Sequence, residues 1–302
     1  MPATPIEFDV REIPFSLRGS WLDLSPVTAL HTTKPDIHLV SHQTGMHAVL
    51  RLQPWLGEAA VASATTASPE SLRWKTADGR IEATFESKEI VRLRGSGVHL
   101  RIQDAAEVLT PFTGTYLFRD PIDGAAVFTS YETGRRYRVT SLHGGLELEG
   151  AEALGAAERA VIATGDDWEI AIEEFEAGRG ASHRRQEFSA VVAQRAAEFE
   201  AYRGSLVPVS DDVDADTAGR AAYVLWSATV QPNGFLRRES ILMSKHWMDK
   251  VWSWDHCFNA LAVAPHDADL ALDQFLTPFD HQDDAGALPD SVTHSEVLYN
   301  FV

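Results

Sequence analysis

The sequence predicts a β + α multidomain protein, in which an antiparallel β-sandwich is followed by stacked helical hairpins. Three observations carry this prediction. The first part of the chain alternates apolar and polar side chains in short segments with glycine turns between them. The spacing of the apolar residues changes to a helical one near residue 183. After residue 211 the chain carries further helical patterns that are separated by loops.

Four segments of the first 182 residues have the two-residue period of β-strands, with glycine-containing turns between them. These segments are residues 81–94, 98–103, 135–144 and 167–176. Many short strands without intervening helices are typical of an antiparallel sandwich, so we predict a β-sandwich domain over residues 1–182. Residues 151–160 are rich in alanine and fit either a loop or a short helix.

Residues 183–204 have the spacing of an amphipathic helix, and Gly204 follows the last apolar residue in the position usual for a helix end. The apolar residues of this helix are Phe188, Val191, Val192, Ala196 and Phe199. We therefore predict a linker helix within residues 183–210. It would connect the sandwich to a second domain over residues 211–302.

The second domain is predicted to contain four helices. The first begins at the acidic residues 211–216, which suit the positive end of a helix dipole. The second begins near Trp254 and stops at Pro265, and Asp267 caps the third. The fourth begins at about Ser295. The apolar face predicted for the third helix consists of Leu272, Phe275, Leu276 and Phe279.

The end of the sequence falls inside one of these predicted elements. Residues 295–302 include several apolar side chains and carry no capping or tail signal. A helical domain of about four helices leaves apolar faces uncovered. We therefore expect the sequence to be a truncated piece of a longer protein.

Charge and composition argue against several classes of function. The formal net charge is −18, and residues 206–302 hold 15 acidic and 5 basic side chains. An acidic surface repels phosphate backbones and anionic lipids, so we expect neither nucleic acid nor a membrane as a partner. One cysteine excludes an intrachain disulfide. No signal peptide or apolar run of about 20 residues is found, so we expect a cytoplasmic location.

The stretch KVWSWDHCFNA, residues 250–260, is the first candidate for a site. A sugar presents an apolar C–H face to an aromatic ring and hydroxyl groups to a carboxylate. Trp254 beside Asp255 would supply both groups. The alternative is that Trp252 and Trp254 are core anchors and Asp255 caps the helix. The residue pattern alone favours this alternative.

The stretch DHQDDAGALPD, residues 280–290, is the second candidate. Its spacing does not fit a calcium loop, because the sixth position is not glycine and the twelfth is not glutamate. We interpret Asp283 and Asp284 as solvated, whereas Gln282 and Asp290 bracket a Gly- and Pro-containing turn. His246, His256, His281 and His294 are too far apart for a short-spaced zinc pair. We expect no metal and no cofactor, and we interpret Cys257 as a small buried residue.

Both stretches closely resemble the start of the catalytic domain of glycoside hydrolase family 63 and its bacterial relatives. These relatives include mannosylglycerate or glucosylglycerate hydrolases and debranching-enzyme-like α-glucosidases. The resemblance is strong over residues 245–292, and FSLRGSWLDLS, residues 15–25, is similar to the same lineage. It implies that the sandwich is followed by the first part of an (α/α)6 barrel of the six-hairpin glycosidase type, with the barrel incomplete.

The resemblance also implies roles for individual residues. Asp255 matches the aspartate that binds hydroxyls of the released sugar. The other residues implied to bind substrate are Trp252, Trp254, His256, Gln282, Asp290 and Lys250. The family's catalytic acid lies in an E-S-G-x-D type motif, which is absent from this sequence. No catalytic residue is therefore assigned in the chain, and we expect both the acid and the base after residue 302.

The activity implied is that of an inverting α-glycosidase acting on a small or oligomeric α-glucoside or α-mannoside, and the fragment itself is expected to be inactive. The acid would protonate the glycosidic oxygen while the base activates water on the opposite face. Two alternatives remain. A sugar 2-epimerase on a helical toroid would use His256 and His281 as acid and base. A carbohydrate-binding protein would have no catalytic residues at all.

Overall fold

A computed structural model describes residues 6–107, 112–176, 186–206 and 214–299. Within these ranges, fourteen strands form one antiparallel sheet. The strands are β1 (Phe15–Ser16), β2 (Leu22–Ala29), β3 (Thr32–Ser41), β4 (His47–Leu56), β5 (Ala59–Ala60), β6 (Ala64–Ser68), β7 (Ser71–Lys75), β8 (Arg80–Phe85), β9 (Ile90–Ser96), β10 (His99–Asp104), β11 (Thr115–Arg119), β12 (Ala126–Ser130), β13 (Arg136–Glu149) and β14 (Ala160–Phe175). Residues 151–159, where the sequence left a choice, form turns.

The sheet nearly closes on itself. Its main path runs β1-β2-β3-β4-β10-β14-β9-β8-β7-β6, while β11, β12 and β13 join at β14 and β5 pairs with β4. At the β6 edge, Phe8 exchanges backbone hydrogen bonds with Ala67, and the chain then reaches β1 at Phe15. Residues 8–15 thus connect the β6 edge of the sheet with the β1 edge.

The long strands β13 and β14 connect the two halves of the sheet. The N-terminal half of β14 pairs with β10, its C-terminal half pairs with β9, and β13 accompanies both halves. Gly165, with φ +133°, lies where β14 changes neighbour, and Gly144, with φ +80°, lies at the register shift in β13. A side chain at Gly144 would meet the carbonyl oxygen of Thr164, so this close approach requires glycine.

One apolar core fills the sheet and extends onto two helices, α1 (Phe188–Ser205) and α2 (Ala215–Ala228). The ring of Phe199 on α1 lies 5.7 Å from that of Tyr223 and 5.6 Å from that of Trp226 on α2. The Tyr223 hydroxyl also donates to the carbonyl oxygen of Ser16 at 3.1 Å. Both helices therefore pack on the sheet and hold the rest of the chain against it.

The remaining elements are short. They are β15 (Thr229–Val230), β16 (Ser240–Ile241), β17 (Val251–Trp252), α3 (Ser253–Val263), α4 (Ala268–Leu276), a 3-10 turn (Phe279–His281), β18 (Ser291–Val292) and β19 (Val297–Leu298). Helices α3 and α4 form one hairpin, and β17, β18 and β19 form a small antiparallel sheet beside it. None of the helices in the described ranges combines the length and apolar character needed to cross a bilayer.

The predicted (α/α)6 barrel is wrong. Of the residues that the structure describes, 42% lie in strands and 20% in helices, and the nearly closed sheet, not a helical barrel, is their main feature. The fourth helix predicted from Ser295 is replaced by β19, because the β-branched pair Val292 and Val297 faces each other across β18 and β19. In α4, the buried residues are Leu270, Ala271 and Gln274, whereas three of the four residues of the predicted apolar face, Leu272, Phe275 and Phe279, are exposed.

Candidate functional site

The small sheet beside α3 brings the two candidate stretches together. Val251 and Trp252 of β17 pair with Val292 and Ser291 of β18. The backbone N–H of Ser253 donates to the carbonyl oxygen of Asp290 at 3.0 Å. Thus Trp252, at the start of one stretch, and Asp290, at the end of the other, lie on neighbouring backbone segments although they are distant in the sequence.

Several polar groups at this junction have no hydrogen-bond partner among the described residues. The carboxylates of Asp255 and Asp290 make no hydrogen bond or ion pair with any described residue, and both side chains are half-buried. The indole N–H of Trp252 is buried and also lacks a hydrogen-bond partner in the described ranges. Buried polar groups without a partner are uncommon in folded proteins, and the free indole N–H of Trp252 is one of them. Together with the two open carboxylates on neighbouring backbone segments, it makes the junction a candidate ligand site.

Trp254 does not pack into a core. Its side chain is 75% exposed, and its ring meets the edge of the Phe258 ring, with centroids 5.6 Å apart and planes at 66°. Helix α3 also has no side-chain cap, since its N-cap residue is Trp252 and Asp255 lies in the first turn. The interpretation of Trp254 as a core anchor and Asp255 as a cap therefore does not fit the structure.

Lys250 lies at the edge of the same junction. Its Nζ atom is 3.5 Å from Oε2 of Glu296 and 6.0 Å from the centroid of the Trp252 ring. An ammonium group over an aromatic face is favourable, and a partly exposed ion pair adds little. Lys250 therefore lies over the Trp252 ring, and its ion pair with Glu296 contributes little to the stability of the fold.

His256 is buried, unlike the half-buried carboxylates of the junction. It is fully buried on α3, and burial lowers its pKa to about 4, so the ring is neutral at physiological pH. Gln274 lies beside it, but the amide of Gln274 is engaged by the backbone of Ile241 and Glu239. The second histidine of the stretches, His281, is bonded through Nε2 to the Phe235 carbonyl at 2.8 Å. This placement does not suit the acid–base pair that an epimerase would need.

Gln282 is used inside its own loop. Its side-chain amide donates to the Gly286 carbonyl at 2.9 Å, and the Asp283 carboxylate accepts from two backbone N–H groups of the same turn. The loop is fixed from outside by Arg238, whose guanidinium donates to both oxygens of Asp280 at 2.7 and 2.9 Å. The side-chain amide of Gln282 is therefore engaged within its own loop. Cys257, predicted to be buried, is exposed.

A buried cluster of charged side chains, which the sequence did not indicate, lies between the large sheet and the residues before β17. His42 lies between two carboxylates, with Nε2 2.6 Å from Oδ2 of Asp23 and Nδ1 2.9 Å from Oδ2 of Asp249. Nearby, the Lys245 ammonium donates to Oγ of Ser16 at 2.8 Å and to the Ser20 carbonyl at 2.7 Å. No sequence signal connects these residues, because His42 and Asp249 are 207 positions apart.

Burial and charge act in opposite directions within this cluster. Burial disfavours the charged form of His42, but the hydrogen bonds with Asp23 and Asp249 outweigh it and raise the pKa to about 9. For Lys245, burial dominates over the attraction of Asp23 and lowers the pKa to about 7. Burial also raises the pKa of Asp23. The raised pKa of His42 favours an imidazolium between the two acidic side chains.

Comparison with known proteins identifies the fold. No family model matches the sequence, and no curated protein is detectably similar to it. Among solved structures, a family GH92 α-mannosidase from Bacteroides thetaiotaomicron in complex with mannoimidazole is similar with a TM-score of 0.62 and 12% identity, over 94% of this chain and 48% of that chain. A family GH92 inverting mannosidase from the same organism is similar with a TM-score of 0.53 and 9% identity, over 74% and 37%.

A further GH92 family glycosyl hydrolase is similar with a TM-score of 0.50 and 11% identity, over 78% of this chain and 42% of that chain. This chain thus spans less than half the length of each of these structures. The comparisons show that the fold is similar to that of these GH92 structures, with a sheet like the N-terminal β-sandwich domain of family GH92. They do not support family 63 specifically.

Proposed function

We propose that this chain belongs to a glycoside hydrolase that cleaves α-linked sugars with inversion, and that α-mannosides are its substrates rather than α-glucosides. The observation that carries the proposal is the group of unpartnered polar side chains beside an exposed tryptophan, Trp254, at the β17–β18 junction. The fold adds support, because the similar solved structures include an inverting mannosidase and an α-mannosidase in complex with mannoimidazole.

The chemistry of the junction suits a pyranose ring. Asp255 and Asp290 would each accept hydrogen bonds from sugar hydroxyls, and such charge-assisted bonds are shorter and stronger than neutral ones. The free indole N–H of Trp252 would donate to a ring substituent, and the exposed face of Trp254 would cover the apolar side of the ring. These residues bind the substrate in the proposal, and none of them transfers a proton.

The proposal assigns the catalytic acid and base to sequence after residue 302. An inverting enzyme needs two carboxyl groups about 6.5–9.5 Å apart, with room between them for substrate and water. Asp255 would then act by tightening its hydrogen bonds to the sugar as positive charge develops on the ring. The 302-residue chain alone is expected to bind sugars without cleaving them.

Proton NMR of the reaction tests the proposal. The protein made from the complete reading frame is mixed with α-mannosides, α-glucosides and free sugars, and the anomers are followed with time. Early release of the β-anomer from α-mannosides is the expected result. Early release of the α-anomer would refute inversion, and conversion of a free sugar would indicate an epimerase. Line broadening without product would indicate a carbohydrate-binding protein, and no response at all would refute the sugar site.

A further inference from the structure

Residues 243–250, which we call the 243–250 loop, precede the candidate site. Backbone hydrogen bonds join the two ends of this loop. The Met243 N–H donates to the Lys250 carbonyl at 2.9 Å, and the Lys250 N–H donates to the Met248 carbonyl at 2.9 Å. Strand β17 begins at the next residue, Val251. The position of this loop and that of the candidate site are therefore linked through the backbone.

The buried charges hold this loop against the large sheet. Lys245 and Asp249 both belong to the loop, and their partners Ser16, Ser20 and His42 all belong to the sheet part of the chain. Burying ionised groups costs several kcal/mol per ion before pairing compensates for it, so an apolar contact would attach the loop with less cost. An ionic attachment instead defines one position for the loop, since each charge must meet its own partner.

The loop presents one large aromatic side chain on its outer side. Trp247 is 40% exposed, and its ring lies 5.3 Å from that of His31, with planes at 52°. His31 lies in the turn between β2 and β3 and has a positive φ of 56°. Five peptide links separate Trp247 from Trp252, so the two side chains are attached at most about 18 Å apart.

We propose that Trp247, supported by His31, is the contact for the second sugar residue of an α-linked oligosaccharide whose first residue occupies the candidate site. The inference rests on the proposed function and adds to it a determinant of substrate length. An exposed indole next to a second flat ring offers an apolar surface to the C–H face of a pyranose. The hydrogen bonds of Lys245 and Asp249 attach the loop that carries Trp247 to the sheet part of the chain, and the chain length keeps Trp247 within about 18 Å of Trp252.

Titration of the 302-residue chain with methyl α-D-mannopyranoside and with α-1,2-linked mannotriose tests this inference. The readouts are the dissociation constants and the indole 1H–15N resonances, with the Trp247 signal assigned from Trp247→Phe. We expect the trisaccharide to bind at least tenfold more tightly than the monosaccharide. The Trp247 signal should shift only with the trisaccharide. Trp247→Ala should weaken trisaccharide binding about tenfold, and Trp247→Phe should weaken it less than threefold.

The matched control is Tyr131→Ala, because Tyr131 is 41% exposed but belongs to the turn after β12. It should leave both dissociation constants unchanged. If both sugars bind and Trp247→Ala binds the trisaccharide as tightly as the unchanged chain, the inference is overturned while the proposed function stands. If neither sugar binds, the proposed function fails, and the assignment of Trp247 fails with it.

Discussion

Nδ1 of His42 lies 2.9 Å from Oδ2 of Asp249, and this pair joins the large sheet to the loop in front of the candidate site. Both side chains are buried, and the opposite nitrogen of His42 faces Asp23. An imidazole between two carboxylates is stabilised most while it carries its proton. His42 therefore makes the attachment of the 243–250 loop depend on pH.

The free energy of unfolding should respond to His42 between about pH 6.5 and pH 9. Folded His42 has a pKa of about 9, and an unfolded histidine has a pKa of about 6.5. Its contribution is therefore complete below the unfolded value and is lost as the pH rises through the folded value. Lys245 acts in the opposite direction, because burial lowers its pKa to about 7. Its charged form destabilises the fold, so the free energy of unfolding rises as the pH increases above that value.

The two effects separate in the variant Lys245→Met. We expect its free energy of unfolding to fall between pH 6.5 and pH 9 by an amount on the order of 3 kcal/mol. Urea unfolding at four pH values measures the change. The double variant His42→Gln/Lys245→Met serves as the control and should show a flat profile in this range. An equally steep fall in the double variant would assign the effect to another group.

Asp255→Ala in the protein made from the complete reading frame should lower kcat/KM by at least about 100-fold, because the lost hydrogen bonds strengthen in the transition state. The melting temperature should change little, since the Asp255 carboxylate has no partner among the described residues. Steady-state kinetics and calorimetry give the two values. Asp284→Ala, on the exposed part of the neighbouring loop, should retain full activity. A near-normal rate for Asp255→Ala would remove Asp255 from the site.

Local features of the second part of the chain could be predicted from the sequence. Helix α3 begins at Ser253, next to the predicted Trp254, and Asp267 caps α4 by accepting from the Leu270 N–H at 2.9 Å. These signals act within four residues of one another. The burial of α4 on the face of Leu270 was not predictable, because it depends on which neighbouring elements cover the helix.

Long-range pairings account for what the sequence analysis missed. The pairing of Trp252 with Ser291 brings the two candidate stretches together, yet neither residue indicates its partner. The same holds for His42 and Asp249. The sequence predicted a helix at residues 297–298, because a few apolar residues fit the period of a helix as well as that of a strand. The pairing of Val297 with Val292 decided in favour of a strand.

We expect that position 234 requires glycine, because the backbone there lies against residue 294. The φ of Gly234 is +57°, and a Cβ atom there would overlap the backbone carbonyl of His294, which accepts the Phe235 N–H at 2.9 Å. Gly234→Ala should lower the free energy of unfolding by about 3 kcal/mol or more, because a backbone atom cannot move aside cheaply. Gly57→Ala is the matched control, with φ +59° and no atom near the added methyl. It should cost about 1–2 kcal/mol, the strain of the left-handed backbone alone. Equal losses in urea unfolding would contradict the overlap.

The thiol of Cys257 reports whether the outer face of α3 is open in solution. Cys257 is exposed, and Phe258 and Leu261 beside it are 57% and 71% exposed. A small aromatic disulfide reagent should therefore modify one thiol per folded chain, at a rate close to that of the urea-unfolded chain. Cys257→Ser should give no signal. If the folded thiol reacted more than about 100-fold more slowly and the rate rose on dilution, the face would be covered by a second copy of the chain, because dilution dissociates a dimer by mass action.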